Sequence, residues 1–123
     1  MINTKQILYL NDILTDKINI SDKHTINSDT TIVLDSLALN VSSAIEWTIM
    51  CENATSGYVL LKVIACHNYI DSAKFNVSII LSDNTAQDDI IINVNINTTF
   101  IELEITNTSL IFDYDIRIRR NLI

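Results

Sequence analysis

The sequence predicts an all-β fold: an antiparallel β-sandwich, jelly-roll or immunoglobulin-like, of about seven to eight strands. Three observations carry this. From Ser43 onward, apolar and polar residues alternate with period two in one segment after another, the pattern of half-buried strands. β-Branched Ile, Val and Thr, which suit a pleated sheet, are abundant. Proline is absent and glycine occurs once, so Asn, Asp and Ser must turn the chain where glycine usually does.

Residues 1–40 are the least regular part. Ile7, Leu8, Leu10, Ile13 and Leu14 fit one helical turn or a strand, while Lys17 to Ile20 and Thr30 to Leu34 read as extended. Asp12, Asp16, Asp22 and Asp29 interrupt them, which predicts short edge strands or an N-terminal arm packing on a neighbouring subunit. Residues 41–123 are expected to form the sandwich core, within one domain overall.

In that core, Ile45, Trp47, Ile49 and Cys51 share one face, with Glu46 and Thr48 opposite. After a turn from Glu52 to Gly57, the strand Tyr58 to His67 carries Val59, Leu61, Val63 and Ala65 on one side. Its other side holds Leu60, Ile64 and Cys66, interrupted by Lys62, so this strand is expected to be central and covered on both faces. Phe75, Val77, Ile79 and Leu81 point inward next, before a polar loop from Asp83 to Asp89. Ile90, Ile92, Val94 and Ile96 then alternate with asparagines, and Ile101, Leu103 and Ile105 with Glu102, Glu104 and Thr106. Phe112, Tyr114, Ile116 and Ile118 complete the pattern against Asp113, Asp115, Arg117 and Arg119. The residues expected to matter most for the fold are Ile45, Trp47, Val63, Phe75, Ile79, Leu103 and Ile116.

Charge suggests a register for the last two segments. Pairing through the tightest turn, at Thr108-Ser109, would set Glu104 against Asp113 and Glu102 against Asp115, and like charges directly opposite are destabilising. A wider loop, Thr108 to Asp113, sets Glu102 against Arg119 and Glu104 against Arg117. That is the predicted arrangement.

The 123 residues, 48% of them hydrophobic, suffice for one core and exclude a charge-driven disordered chain. A formal charge of −7 and a pI near 4.5 give a field that repels nucleic acid and anionic lipid. Met1 to Leu10 lacks the basic and apolar regions of a secretory signal, and no stretch reaches the ~18 apolar residues of a membrane span. Cys51 and Cys66 read as small core residues rather than a disulfide framework.

The search for chemistry returns no catalytic, cofactor-binding or metal residue. One glycine cannot build a phosphate-cradling loop. Cys66 and His67 are adjacent on a strand and face opposite ways, so they cannot jointly grip zinc. No serine or threonine is followed by a base and its orienting group. Glu102 and Glu104 have the look of a glycosidase pair but read as solubilising strand carboxylates. The loop Ser82 to Asp89 offers oxygen ligands without the spacing of a calcium loop. Tyr9, Trp47, Tyr58, Tyr69 and Tyr114 could in principle stack on sugars, although Trp47 alternates with Ile45 and Ile49 as a core residue does.

The order of the strands also carries a resemblance. Ala44-Ile45-Glu46-Trp47-Thr48-Ile49 precedes a strand ending Ala65-Cys66-His67-Asn68, then Phe75 to Ile80. Phe100 to Asn107 follows as F-I-E-L-E-I-T-N, and the chain closes with Ile116-Arg117-Ile118-Arg119-Arg120-Asn121-Leu122-Ile123. From Ala38 to Ile123 this resembles a small β-sandwich domain of tailed-bacteriophage virion proteins, although the glycines usual in that family's loops are missing here. The resemblance implies a non-enzymatic structural protein of the particle: head decoration, neck, or tail and fibre attachment. It implies assembly in the host cytoplasm into the virion, as a homo-oligomer and with capsid, neck or tail components, and it names no cofactor. Met1 to Leu14 and Arg119 to Ile123 are the segments expected to contact neighbours, the latter by adding to a sheet edge. The alternative function is a carbohydrate- or receptor-binding module using Tyr69 and Asp83 to Asp89.

Overall fold

A computed structural model describes residues 24–83 and 85–123. The segments Met1 to Leu14 and Lys17 to Ile20, read above as an arm or edge strands, lie outside the described residues, as does Asn84. The described residues form strands β1 (His24–Ile26), β2 (Thr30–Ala38), β3 (Ala44–Asn53), β4 (Gly57–His67) and β5 (Ala73–Ser82). A short helix, α1 (Ala86–Asp89), then leads into β6 (Ile90–Asn97), β7 (Phe100–Asn107) and β8 (Tyr114–Leu122). They build an antiparallel β-sandwich of two unequal sheets, one in the order β1-β8-β3-β4-β5 and one in the order β2-β7-β6. The expected all-β sandwich is the observed fold.

Alternation explains the packing. Ile45, Trp47, Ile49 and Cys51 of β3, Val59, Leu61, Val63 and Ala65 of β4, and Tyr114, Ile116 and Ile118 of β8 are buried from the larger sheet. They meet Ile101, Leu103 and Ile105 of β7 and Val94 of β6 from the smaller one. These apolar faces hold the two sheets together by removal of hydrocarbon from water.

Side chains do much of the turning in this glycine-poor chain. Asn53 Oδ1 accepts the amides of Thr55 (2.8 Å) and Ser56 (3.0 Å), closing the β3–β4 turn ahead of Gly57 at φ 96°. Asn68 Oδ1 accepts three amides at 3.0 Å, those of Ile70, Asp71 and Ser72, at the centre of the β4–β5 loop. Asp29, Tyr69 and Thr98 adopt positive φ at three further turns, a conformation that is rare without glycine and sparsely used by such side chains.

Four expectations are corrected. First, β7 and β8 are not neighbours: the connection from Thr108 to Asp113 crosses from one sheet to the other. Glu102 therefore lies opposite Ser36 and Asn95, and Glu104 opposite Val33 and Asn93, while Arg117 and Arg119 lie opposite Met50 and Thr48. Alternation tells which face is apolar but not which strand lies alongside, so charge matching was applied to strands in different sheets. Second, β4 is covered on one face only; its outer residues Tyr58, Ile64 and Cys66 are exposed. Cys66 is thus a surface thiol and only Cys51 a core one. Third, Phe75 and Ile79 are exposed because β5, the last strand of the larger sheet, extends past the smaller sheet that should cover it. Fourth, the segment Asp83 to Asp89 is not loop throughout: it contains α1 and carries the chain across to β6 in the other sheet.

Candidate functional site

Strand ends sort the loops into two clusters. The β2–β3, β4–β5 and β6–β7 connections gather at one end of the sandwich, and the β1–β2, β3–β4, β5–β6 and β7–β8 connections at the other. Tyr69 sits at the first end, in a shallow depression with Ala38, Leu39, Asn40, Thr98 and Thr99. Asp83 sits at the second, beside Glu52, Tyr58 and Asp115. The residues that suggested a sugar site are therefore not brought together. Trp47 and Tyr114 are fully buried, and Tyr9 lies outside the described residues.

The remaining polar candidates are spent on holding the sandwich. His67 Nδ1 accepts the Tyr69 amide (2.9 Å), which leaves the ring proton on Nε2, donated to the Ser42 carbonyl at 2.5 Å. The imidazole thereby ties two loops together, with the Tyr69 ring edge-on at 4.8 Å. Glu102 and Glu104 lie on the outer face of the smaller sheet, opposite the partners given above. Among the described residues, no group of three or more His, Cys, Asp or Glu could hold a metal ion, and no helix is long and apolar enough to cross a membrane.

Three polar networks were not anticipated. The first bridges the sheets. A bulge in β2, between Val33 and Asp35, turns both Leu34 and Asp35 toward the interior. Asp35 Oδ2 accepts the Trp47 indole N–H at 2.8 Å, and Arg120, opposite Trp47 on β8, donates to both Asp35 oxygens at 3.2 Å. The second network centres on Asn107, which is fully buried at the end of β7. Its Nδ2 donates to the carbonyls of Phe112 (2.7 Å), Asn27 (3.2 Å) and Ile26 (3.4 Å), and its Oδ1 accepts the Ser109 amide (3.0 Å). Asn107 continues the inward phase of Ile101, Leu103 and Ile105, a signal that was present in the sequence and passed over.

In the third network, Ser56 Oγ donates to the Tyr114 hydroxyl (2.7 Å), which donates to Asp89 Oδ2 (2.5 Å). Burial, with the bond to Asp89 adding to it, pushes the Tyr114 phenol up from 10.0 to about 12. Burial also pushes the Cys51 thiol up from 9.0 to about 12. Between the unfolded and folded values the native state holds more protons than the unfolded chain, so stability falls as pH rises through that window. The urea midpoint is expected to decline from pH 9 to pH 12. Tyr114→Phe should lose about 1 kcal/mol at neutral pH but decline less steeply above pH 10. Parallel declines in the two proteins would contradict this assignment.

The sandwich also leaves apolar side chains uncovered. Along β5, Phe75 is 38% exposed, Ile79 53%, Ile80 47% and Leu81 57%. Tyr58 and Ile64 extend the exposed surface onto the outer face of β4. Around them stand Lys62, paired with Glu46 at 3.4 Å, and the polar residues Lys74, Asn76 and Ser78. Phe75 and Ile79 lie on the inner face of the sheet and Tyr58, Ile64 and Leu81 on its outer face, so apolar side chains are exposed on both sides of the β5 edge, a surface suited to binding another protein.

Comparison with known proteins adds little to this geometry. No protein-family model and no curated protein matches the chain. One solved structure, the tailspike protein of Acinetobacter baumannii phage AM24, is similar over 83% of this chain and 25% of that one, with 8% identity and a TM-score of 0.39. The chain thus spans about a quarter of the tailspike's length.

Proposed function

We propose that this chain is a non-enzymatic structural protein of a bacteriophage particle, a head-decoration, neck or tail-attachment component that works through protein–protein contacts. The observation that carries the assembly role is the apolar surface exposed on both sides of the β5 edge, on a scaffold whose Asp35, Tyr114 and His67 networks serve its own loops and sheets. A sandwich with one sheet wider than the other leaves the inner residues of β5, Phe75 and Ile79, uncovered until a neighbour arrives. The strand order that resembles small virion sandwich domains supplies the particle, and the acidic charge disfavours packaging of nucleic acid as its task.

Antibodies against the chain are expected to decorate particles of the phage that encodes it at one regular position in electron micrographs. Ile64→Lys, on an exposed site of β4, should fold normally by circular dichroism yet fail to join particles in a complementation assay. Purified particles that lack the chain would refute the proposal.

A further inference from the structure

We infer that the free edge of β5 pairs antiparallel with β5 of a second copy, in a two-fold register centred on Ser78. The inference rests on the assembly reading above and names its partner and contact. β5 is ten residues long and, among the described residues, pairs on one side only, with β4. At about 3.4 Å per residue its open edge runs for roughly 30 Å.

Charge and side-chain direction select the register. In β5, Lys74 faces outward opposite Cys66, and Phe75, Val77 and Ile79 face inward opposite Ala65, Val63 and Leu61. An extra residue, Ile80, is inserted before Leu81, which lies opposite Leu60. This bulge reverses the phase, so that Leu81 faces outward and Ser82, opposite the buried Val59, faces inward. The Asp83 amide still bonds the Tyr58 carbonyl at 2.9 Å, which continues the ladder and sets Asp83 on the outer face.

Two-fold pairing requires that opposed residues share a face. With Ser78 opposite Ser78 of the second copy, Val77 meets the bulge at Ile79 and Ile80, Asn76 meets Leu81, and Phe75 meets Ser82. Lys74 then meets Asp83. Each non-bulged pair shares a face, and opposite charges meet at both ends of the interface. Neither Lys74 nor Asp83 has an ion-pair partner within the described chain. A bulge on an edge strand commonly blunts pairing; here it is what brings Lys74 and Asp83 onto one face. The half-exposed inner residues Phe75, Val77 and Ile79 of the two copies adjoin across the seam and prolong the core.

The full chain is tested by sedimentation equilibrium, where a dimer with a dissociation constant on the order of 10 μM is expected for an interface at the small end of the range. Lys74→Glu and Asp83→Lys each place like charges at both ends and should weaken the dimer roughly tenfold or more. Combining the two substitutions restores the opposed charges and should restore the dimer. In a Cys66→Ser background, Ser78→Cys should cross-link to itself under mild oxidation, because directly opposed residues lie within disulfide reach. Asn76→Cys, opposite Leu81, should not. A wild-type chain still monomeric at about 1 mM, or a dimer indifferent to both charge reversals, would overturn the interface. If such a chain nevertheless joins particles, only this contact fails and the assembly role stands.

Discussion

Replacing Trp47 with alanine is expected to cost the fold about 4 kcal/mol, shifting the urea midpoint down by roughly 2 M. Two losses combine. The indole is fully buried at the centre of β3, so its removal leaves a large cavity between the sheets. Asp35 loses its 2.8 Å donor and keeps Arg120 and the Ser36 amide, in a site where its side chain is only 17% exposed. Trp47→Phe separates the two contributions, since it retains most of the apolar volume and deletes only the N–H. Its expected cost is about 1–2 kcal/mol. Equal losses for the two variants would mean that the bridge from Asp35 to Trp47 contributes the whole effect and the cavity none.

Asn107→Ala is expected to cost about 3 kcal/mol, and Asn107→Asp more than that. The amide Nδ2 has two hydrogens directed at three carbonyls, so the longer contacts to Ile26 and Asn27 share one of them. Alanine takes a donor from all three carbonyls, of which Asn27 keeps the Thr30 hydroxyl, and takes the acceptor from the Ser109 amide, at a buried site. Aspartate keeps the acceptor for Ser109 but aims a second oxygen at carbonyl oxygens, so either a buried charge or a protonated acid must be accommodated. Chemical denaturation of both variants near neutral pH decides the order. An aspartate variant more stable than the alanine one would show that the amide donor is not what ties β1, β7 and the crossover loop together.

The alternation from Ile45 to Ile118 was enough to locate the strands because each turns a single apolar face toward the other sheet, buried or half-buried in all but β5, and period two is the direct trace of that. It also identified Trp47, Leu103 and Ile116 as core residues, all of them fully buried. Neighbour choice was not legible. Glu102 and Arg119 are complementary in charge, but outward charges report solvent on a face, not the strand alongside. Asp35 was hidden because the bulge at Leu34 shifts the phase of β2, and one inserted residue leaves no compositional mark. The open surface was half legible: apolar residues on both faces of β4 were seen and explained by burial within the chain. Ile64 and Tyr58 show that the same pattern equally describes a strand whose outer face is left uncovered.

The wiring of the sheets has a kinetic consequence. β2 lies along β7, and β8 is held between β3 and β1, so much of the pairing joins the early part of the described chain to its late part. Among the described residues only the hairpins β3–β4, β4–β5 and β6–β7 can close locally. The rest must first meet the entropy of long loops, which makes such topologies slow to fold and leaves early intermediates with open edges. During synthesis the β3–β5 meander waits, hydrocarbon outward, until residues 114–122 emerge to take their place beside β3. β8 thus sets the moment at which the larger sheet is complete.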